Sequence, residues 1–241
     1  GFVPFEELAR IRDPENGFIV TANNKIVDDD YPHYIALSFA PEYRARRIYG
    51  RLEGLTNATV ADMAAVHAER LSIPASTYAL LFAGVEPLDE LSARAQEVLA
   101  GWDGTMDRDA VEPTVYSAFR LHLNRTLLKH LLGPLAGEAL TGTGRGAPFH
   151  RTLLEASFVT SAEQNDASVL PPDADWSTVL ARALADGVAY LKGRLGDDMS
   201  AWTWGKVHST RPRHALSPSF PELAPLLDPP SVAMEGDGDT P

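Results

Sequence analysis

Two asparagines, Asn23 and Asn24, stand at the end of the apolar, β-branched run Gly17-Phe18-Ile19-Val20-Thr21-Ala22. A side-chain amide fixed at a strand end can donate its N–H to a developing oxyanion, and one such donor is worth roughly 10²- to 10³-fold in rate. The same pair suits a turn in which the side chains bond to local backbone, and that is the reading residue type alone favours. Further on, Arg44, Arg46 and Arg47 open a helical stretch, either as a clamp for an active site or as a solvated, ion-paired face. Asp28-Asp29-Asp30 carry the charge that attracts Ca²⁺, but consecutive carboxylates cannot all point at one ion, so a solvated loop is expected. Asp237-Gly238-Asp239 reads the same way.

Other catalytic signatures can be checked directly. The chain has no Gly-x-Ser-x-Gly elbow, no His-Glu-x-x-His and no dinucleotide fingerprint after a strand. Its seven histidines include no pair four residues apart, the spacing by which one helix presents two zinc ligands. Trp202 and Trp204 are two residues apart, which on an extended segment puts both indoles on one face as an apolar anchor.

These residues need elements to position them. Turn-forming Asp13-Pro14-Glu15-Asn16 precedes the 17–22 run and Asn23-Asn24-Lys25 follows it, so a strand is expected there, delivering the asparagines to its end. From Ala40 the period becomes helical. Thr59 is a plausible N-cap ahead of Val60, Met63 and Val66, and apolar residues recur at three- and four-residue steps along Leu88–Trp102, Val115–Leu131 and Val179–Leu195. Asp175 can cap the last of these helices and Gly196 can end it. Thr141-Gly142-Thr143-Gly144-Arg145-Gly146 lacks the Lys-Ser or Lys-Thr ending of a phosphate loop and reads as a connector. Beyond Trp204, Pro212, Pro218, Pro221, Pro225, Pro229 and Pro230 imply an extended tail. The expected organisation is a strand region at 1–35, a mainly helical region at 36–200 and an extended Pro-rich segment at 201–241. A single strand closes no sheet, so the sheet it joins is expected to lie partly outside these residues.

Composition bounds the partners. The 241 residues are 44% hydrophobic and 22% charged with no Cys, which fits a globular protein with a substantial core and removes thiol catalysis and disulfides within the chain. A net charge of −12 disfavours nucleic acid or an anionic membrane as partner, since both reward Lys and Arg clusters. No run of about 18 apolar residues occurs within these 241 residues.

Several separated segments together resemble the penicillin acylase (penicillin amidase) family: Arg12 to Lys25, Asp30-Tyr31-Pro32, Tyr43 to Ile48, Leu99 to Gly104 with Met106, Trp202 to His208, and Gly236-Asp237-Gly238-Asp239-Thr240. The resemblance implies an α+β, predominantly helical chain, forming part of an αββα N-terminal-nucleophile hydrolase fold with a large helical insertion. It implies an amidohydrolase cleaving linear N-acyl amide bonds, such as the acyl side chain of a β-lactam or an acyl-homoserine lactone. The nucleophile would be a Ser freed by autoproteolysis, with its own α-amine as base. That Ser is expected upstream of Gly1, so these residues alone should be inactive. Asn23 matches the family's oxyanion-hole asparagine, and Arg44 matches the arginine that orients the nucleophile and that asparagine, with Arg46 as the alternate. The implied partners are the remainder of the same precursor, namely the α-chain and the N-terminal part of the β-chain, and a small acyl-amide substrate. No cofactor is implied in this chain. Some relatives hold a structural calcium with an Asp soon after the Tyr-Pro pair, but here His33, Tyr34 and Ile35 follow Tyr31-Pro32. The resemblance also implies a periplasmic or secreted location. The alternative from a different class is a non-catalytic helical interaction domain that docks through the Trp pair and the Pro-rich tail.

Overall fold

A computed structural model describes residues 2–141 and 147–241, with side chains given outside 147–151. Helices dominate, in the order α1 (Tyr43–Glu53), α2 (Val60–His67), α3 (Ile73–Leu81), α4 (Glu90–Leu99), α5 (Glu112–Leu132), α6 (Ala136–Thr141), α7 (Ala147–Glu163), α8 (Trp176–Leu195), α9 (Trp204–Val207) and α10 (Ala224–Leu227). The expected Gly-rich connector lies, from residue 142 on, outside the described residues.

Local chemistry sets the helix ends. The Thr59 side chain accepts from the Asp62 N–H while Asp62 reaches back to the Thr59 N–H, a reciprocal box that satisfies two orphan donors at the start of α2. Asp89 and Ser92 do the same for α4, and Asp175 accepts from the Thr178 N–H at the start of α8. Gly196, at φ 94°, ends α8 in a conformation that disfavours side chains.

The core is built on α5 and α8, which share the most extensive helix pairing. Val115, Phe119, Leu123 and Leu127 of α5 are fully buried and face Leu184, Val188 and Leu191 of α8. Gly187 lets the two backbones approach, because a Cβ there would come within 2.8 Å of the Phe119 nitrogen. The Phe119 ring meets Tyr78 of α3 edge-on at 5.1 Å and Phe82, just after α3, at 4.8 Å. Full burial of such a ring contributes about 1.5 to 3 kcal/mol. α4 flanks α8, α3 lies against α7, and α6 touches both α5 and α7.

Two sequence expectations meet a different outcome. Residues 18–22 run without a paired strand, and among the described residues only the isolated bridges Leu71–Thr105 and Ser209–Ala233 form. A β-branched run favours the extended state, but a ladder needs a neighbouring strand to take its N–H and C=O groups, and none of the described residues supplies one. The tail is not uniformly extended either. It forms α9, pairs back on itself through Thr210 N–H to Val232 O (2.9 Å) and Met234 N–H to His208 O (3.0 Å), and coils again at Pro221–Leu223 and α10. Proline is compatible with a first helical turn, which is where Pro221 and Pro225 sit.

The Trp pair is buried, but not on an extended strand. Trp204 begins α9, and both indoles are fixed by carbonyls, Trp202 Nε1 donating to Gly196 O and Trp204 Nε1 to Gly236 O, each at 3.0 Å. Their exposures of 0% and 7% remove them from any docking surface.

Candidate active site

The two asparagines separate into different roles. Asn24 does turn work: its Oδ1 accepts from the Ala22 N–H at 3.0 Å and its Nδ2 donates to the Lys25 carbonyl. Asn23 sits at φ 63°, in the left-handed region, and its carbonyl accepts from the Ala40 N–H at 2.8 Å. Its side chain is engaged from one side only. Arg44, in the first turn of α1, uses Nη2 to donate both to the Ala22 carbonyl (2.9 Å) and to Asn23 Oδ1 (3.1 Å).

That contact fixes the amide's orientation. A guanidinium has only donors, so the Asn23 atom facing it must be the oxygen, and the Nδ2 donors are turned away from Arg44. Arg46 is exposed and makes no hydrogen bond to Asn23, while Arg47, with Arg51, pairs with the largely buried Glu69. The three arginines thus divide between the site, solvent and a tie from α1 to the segment that follows α2.

Asn23, Tyr43, Arg44, Leu153, Gly238 and Asp239 line one cavity of about 410 Å³. Tyr43 donates to the Ala156 carbonyl of α7 at 3.3 Å. Its phenol is pushed up to about 12, first by burial and then by the charge of Asp239, so it stays protonated at neutral pH. The wall opposite Asn23 comes from the far end of the sequence.

The Asp237-Gly238-Asp239 segment is not the solvated loop its composition implied. Asp239 and Thr240 are buried, at 7% and 6% exposure, in a turn where the Asp239 N–H donates to Asp237 Oδ1 (2.8 Å) and the Asp237 N–H to Thr240 Oγ1 (3.0 Å). Asp239 also forms an ion pair with Arg120 of α5, which donates to the Tyr116 hydroxyl at 3.1 Å. Burial works against the Arg120 charge, but Tyr116, Asp239 and Asp237 hold it firmly protonated. Burial, and then the neighbouring Asp239 charge, raises the Asp237 carboxyl above its ordinary value. Sequence reasoning missed Arg120, because it sits in the apolar pattern of α5 and its partner lies 119 residues away.

His33 Nε2 lies 2.7 Å from Glu7 Oε2, Asp29 pairs with Lys25, and Asp28, Asp29 and Asp30 are exposed. Among the described residues no three acidic or histidine side chains converge on one point. No helix among them is long and apolar enough to cross a membrane.

Comparison with known proteins covers the same ground. A family model described as penicillin amidase matches residues 1–241. The chain is 35% identical over 246 residues to the penicillin acylase 2 proenzyme of Pseudomonas sp. (strain SE83), covering 100% of this chain and 30% of that proenzyme. It is 26% identical over 216 residues to the acyl-homoserine lactone acylase QuiP of Pseudomonas aeruginosa, covering 82% of this chain and 25% of QuiP. The QuiP of Pseudomonas fluorescens (strain Pf-5) is 24% identical over 215 residues, covering 82% of this chain and 26% of that protein. The chain therefore spans less than a third of the length of these relatives.

Proposed function

On the premise that this chain belongs to the penicillin amidase family, we propose that it is part of the catalytic chain of an amidohydrolase that cleaves linear N-acyl amide bonds. In this reading a Ser nucleophile located outside these residues attacks the acyl carbonyl, with its own α-amine as base. The carbonyl oxygen then gains negative charge, and Asn23 Nδ2 donates to it. The observation that carries the reading is the grip of Arg44 on Asn23 Oδ1, which turns the amide donors away from the helix before any substrate arrives. Preorganised donors of this kind need no rearrangement as charge develops, which is where their catalytic value arises. Arg44 also leaves a full positive charge beside the oxyanion.

The remainder of a processed precursor is the proposed partner, in keeping with a relative that is itself a proenzyme. β-Lactam N-acyl groups and acyl-homoserine lactones are the proposed substrate classes, after the names of two relatives. A periplasmic or secreted location belongs to the same proposal and is tested by fractionating cells that express the full precursor. The central test is Asn23→Ala in the full-length protein, for which kcat is expected to fall roughly 10²-fold or more with a small change in KM. An unchanged kcat would reject the oxyanion role.

A further inference from the structure

Among the described residues, Asp239 is the one acidic residue lining the cavity that holds Asn23 and Arg44. A bare carboxylate there would oppose any negative charge forming at Asn23. It is not bare. Arg120 reaches it from α5 in a largely buried ion pair, with side-chain exposures of 16% and 9%. The groups facing this pair include Tyr116 on α5, Tyr78 on α3, Asp237 in the same turn and Tyr43 on α1, which also feels Glu163 of α7 and Arg46 of α1, with Arg44 also on the cavity wall.

The turn that carries Asp239 is also held by bonds other than the pair. Gly236 N–H donates to Met106 O at 2.8 Å, its carbonyl accepts from Trp204 Nε1, and the Asp237–Thr240 bonds close the turn internally. A buried ion pair is in any case weak support for stability, because the cost of desolvating two charges offsets their attraction.

Resting on the reading of this cavity as an oxyanion site, we propose that Arg120 is a positioning residue. It cancels the Asp239 charge from beneath the cavity wall, so that the charge in contact with Asn23 is the positive one of Arg44. With an effective dielectric near 20 and a separation of several ångströms, an uncancelled carboxylate would cost roughly 10- to 100-fold in rate.

The test uses the full-length protein, with kcat and KM measured at pH 8 beside a thermal melt. Arg120→Met is expected to lower kcat roughly 10- to 100-fold with KM within about threefold of the parent. Asp239→Asn, which removes the offending charge, is expected to melt earlier but to lose less than about threefold in kcat, and Arg120→Met with Asp239→Asn should recover most of what the single Met variant lost. A loss in Asp239→Asn as large as in Arg120→Met, or a double variant no faster than Arg120→Met, would mean that the pair is only an anchor and overturn the proposal. Should Arg120→Met not fold, Arg120→Lys decides: it keeps the charge and is expected within about fivefold of parental kcat, and a loss beyond about tenfold overturns the proposal. Asn23→Ala separates the two levels. Parental kcat in that variant sinks the oxyanion reading itself, whereas a slow Asn23→Ala beside an Arg120→Met of parental kcat sinks the charge-cancelling role alone.

Discussion

At Asn23 the backbone and the side chain make separate demands on one residue. The φ of 63° suits Gly and Asn, whose short polar side chain tolerates the left-handed region, and it penalises almost anything else. Asn23→Gly should therefore keep the turn while deleting the amide. A full-length protein with this change is expected to melt near the parent and to lose as much kcat as Asn23→Ala, roughly 10²-fold. A Gly variant with parental turnover would place the role of Asn23 in the backbone instead. Arg44→Lys should also slow turnover, by roughly tenfold, since a flexible ammonium keeps the charge but does not hold one rigidly placed NH₂ group against both Ala22 O and Asn23 Oδ1. A pH-dependent prediction concerns Asp237. Its carboxyl is raised in the folded state, so its contribution favours folding below the ordinary carboxylate range and is lost as pH rises through the folded value. Asp237→Asn can keep the Oδ1 acceptor for the Asp239 N–H. It should melt above the parent at pH 7, with the gain vanishing at acid pH, and a gain that grows on acidification would refute the assignment. At this scale the sequence placed Asn23 and Arg44 by resemblance, but nothing in residue type separated Asn23 from Asn24. That separation arises from φ and from which carbonyl Arg44 can reach.

Among the elements, periodicity was the most legible signal. The apolar steps through Val115, Phe119, Leu123 and Leu127 became the buried face of α5, and Asp175 and Gly196 mark the limits of α8 as their chemistry implied. α3 was not singled out, because its nine residues are mostly apolar on every side and carry little amphipathic contrast. The 17–22 run failed to become a strand for the opposite reason: strand propensity is local, but a ladder is not. The closest approach in the helical body gives a direct test. Gly187→Ala would drive a Cβ to within 2.8 Å of the Phe119 nitrogen and 2.9 Å of the Ala118 carbonyl carbon, both backbone atoms that cannot swing aside. A destabilisation of roughly 1 to 3 kcal/mol is expected in denaturant melts, and a neutral result would mean that α5 and α8 slide apart at no cost. Trp204→Ala should cost about 3 to 5 kcal/mol, combining a lost core indole with a buried Gly236 carbonyl left without its donor.

For the molecule as a whole, the contrast lies between a dry helical body and an N-terminal region rich in exposed apolar residues. Phe5, Ile11, Ile19 and Leu37 are 70%, 59%, 54% and 79% exposed, whereas the α5–α8 core is closed. If the proposed remainder of the precursor covers this region, the amides of Phe18 to Thr21 should exchange slowly in the full-length protein and rapidly in the 241-residue chain. Equal, fast exchange in both would argue that no sheet forms there. The net charge of −12 retains its modest meaning: it speaks against polyanionic partners and says nothing about chemistry.

One arrangement at this scale bears on how such a site comes into being. Asn23 and Asp239 line the same cavity although they are more than two hundred residues apart in sequence, with all ten described α-helices lying between them. A ribosome adding roughly 5 to 20 residues per second needs tens of seconds to make the second wall after the first. Asn23 and Arg44 therefore wait, already translated, for the turn that completes the cavity. A nascent chain acquires the finished cavity only after the whole helical body has been synthesised.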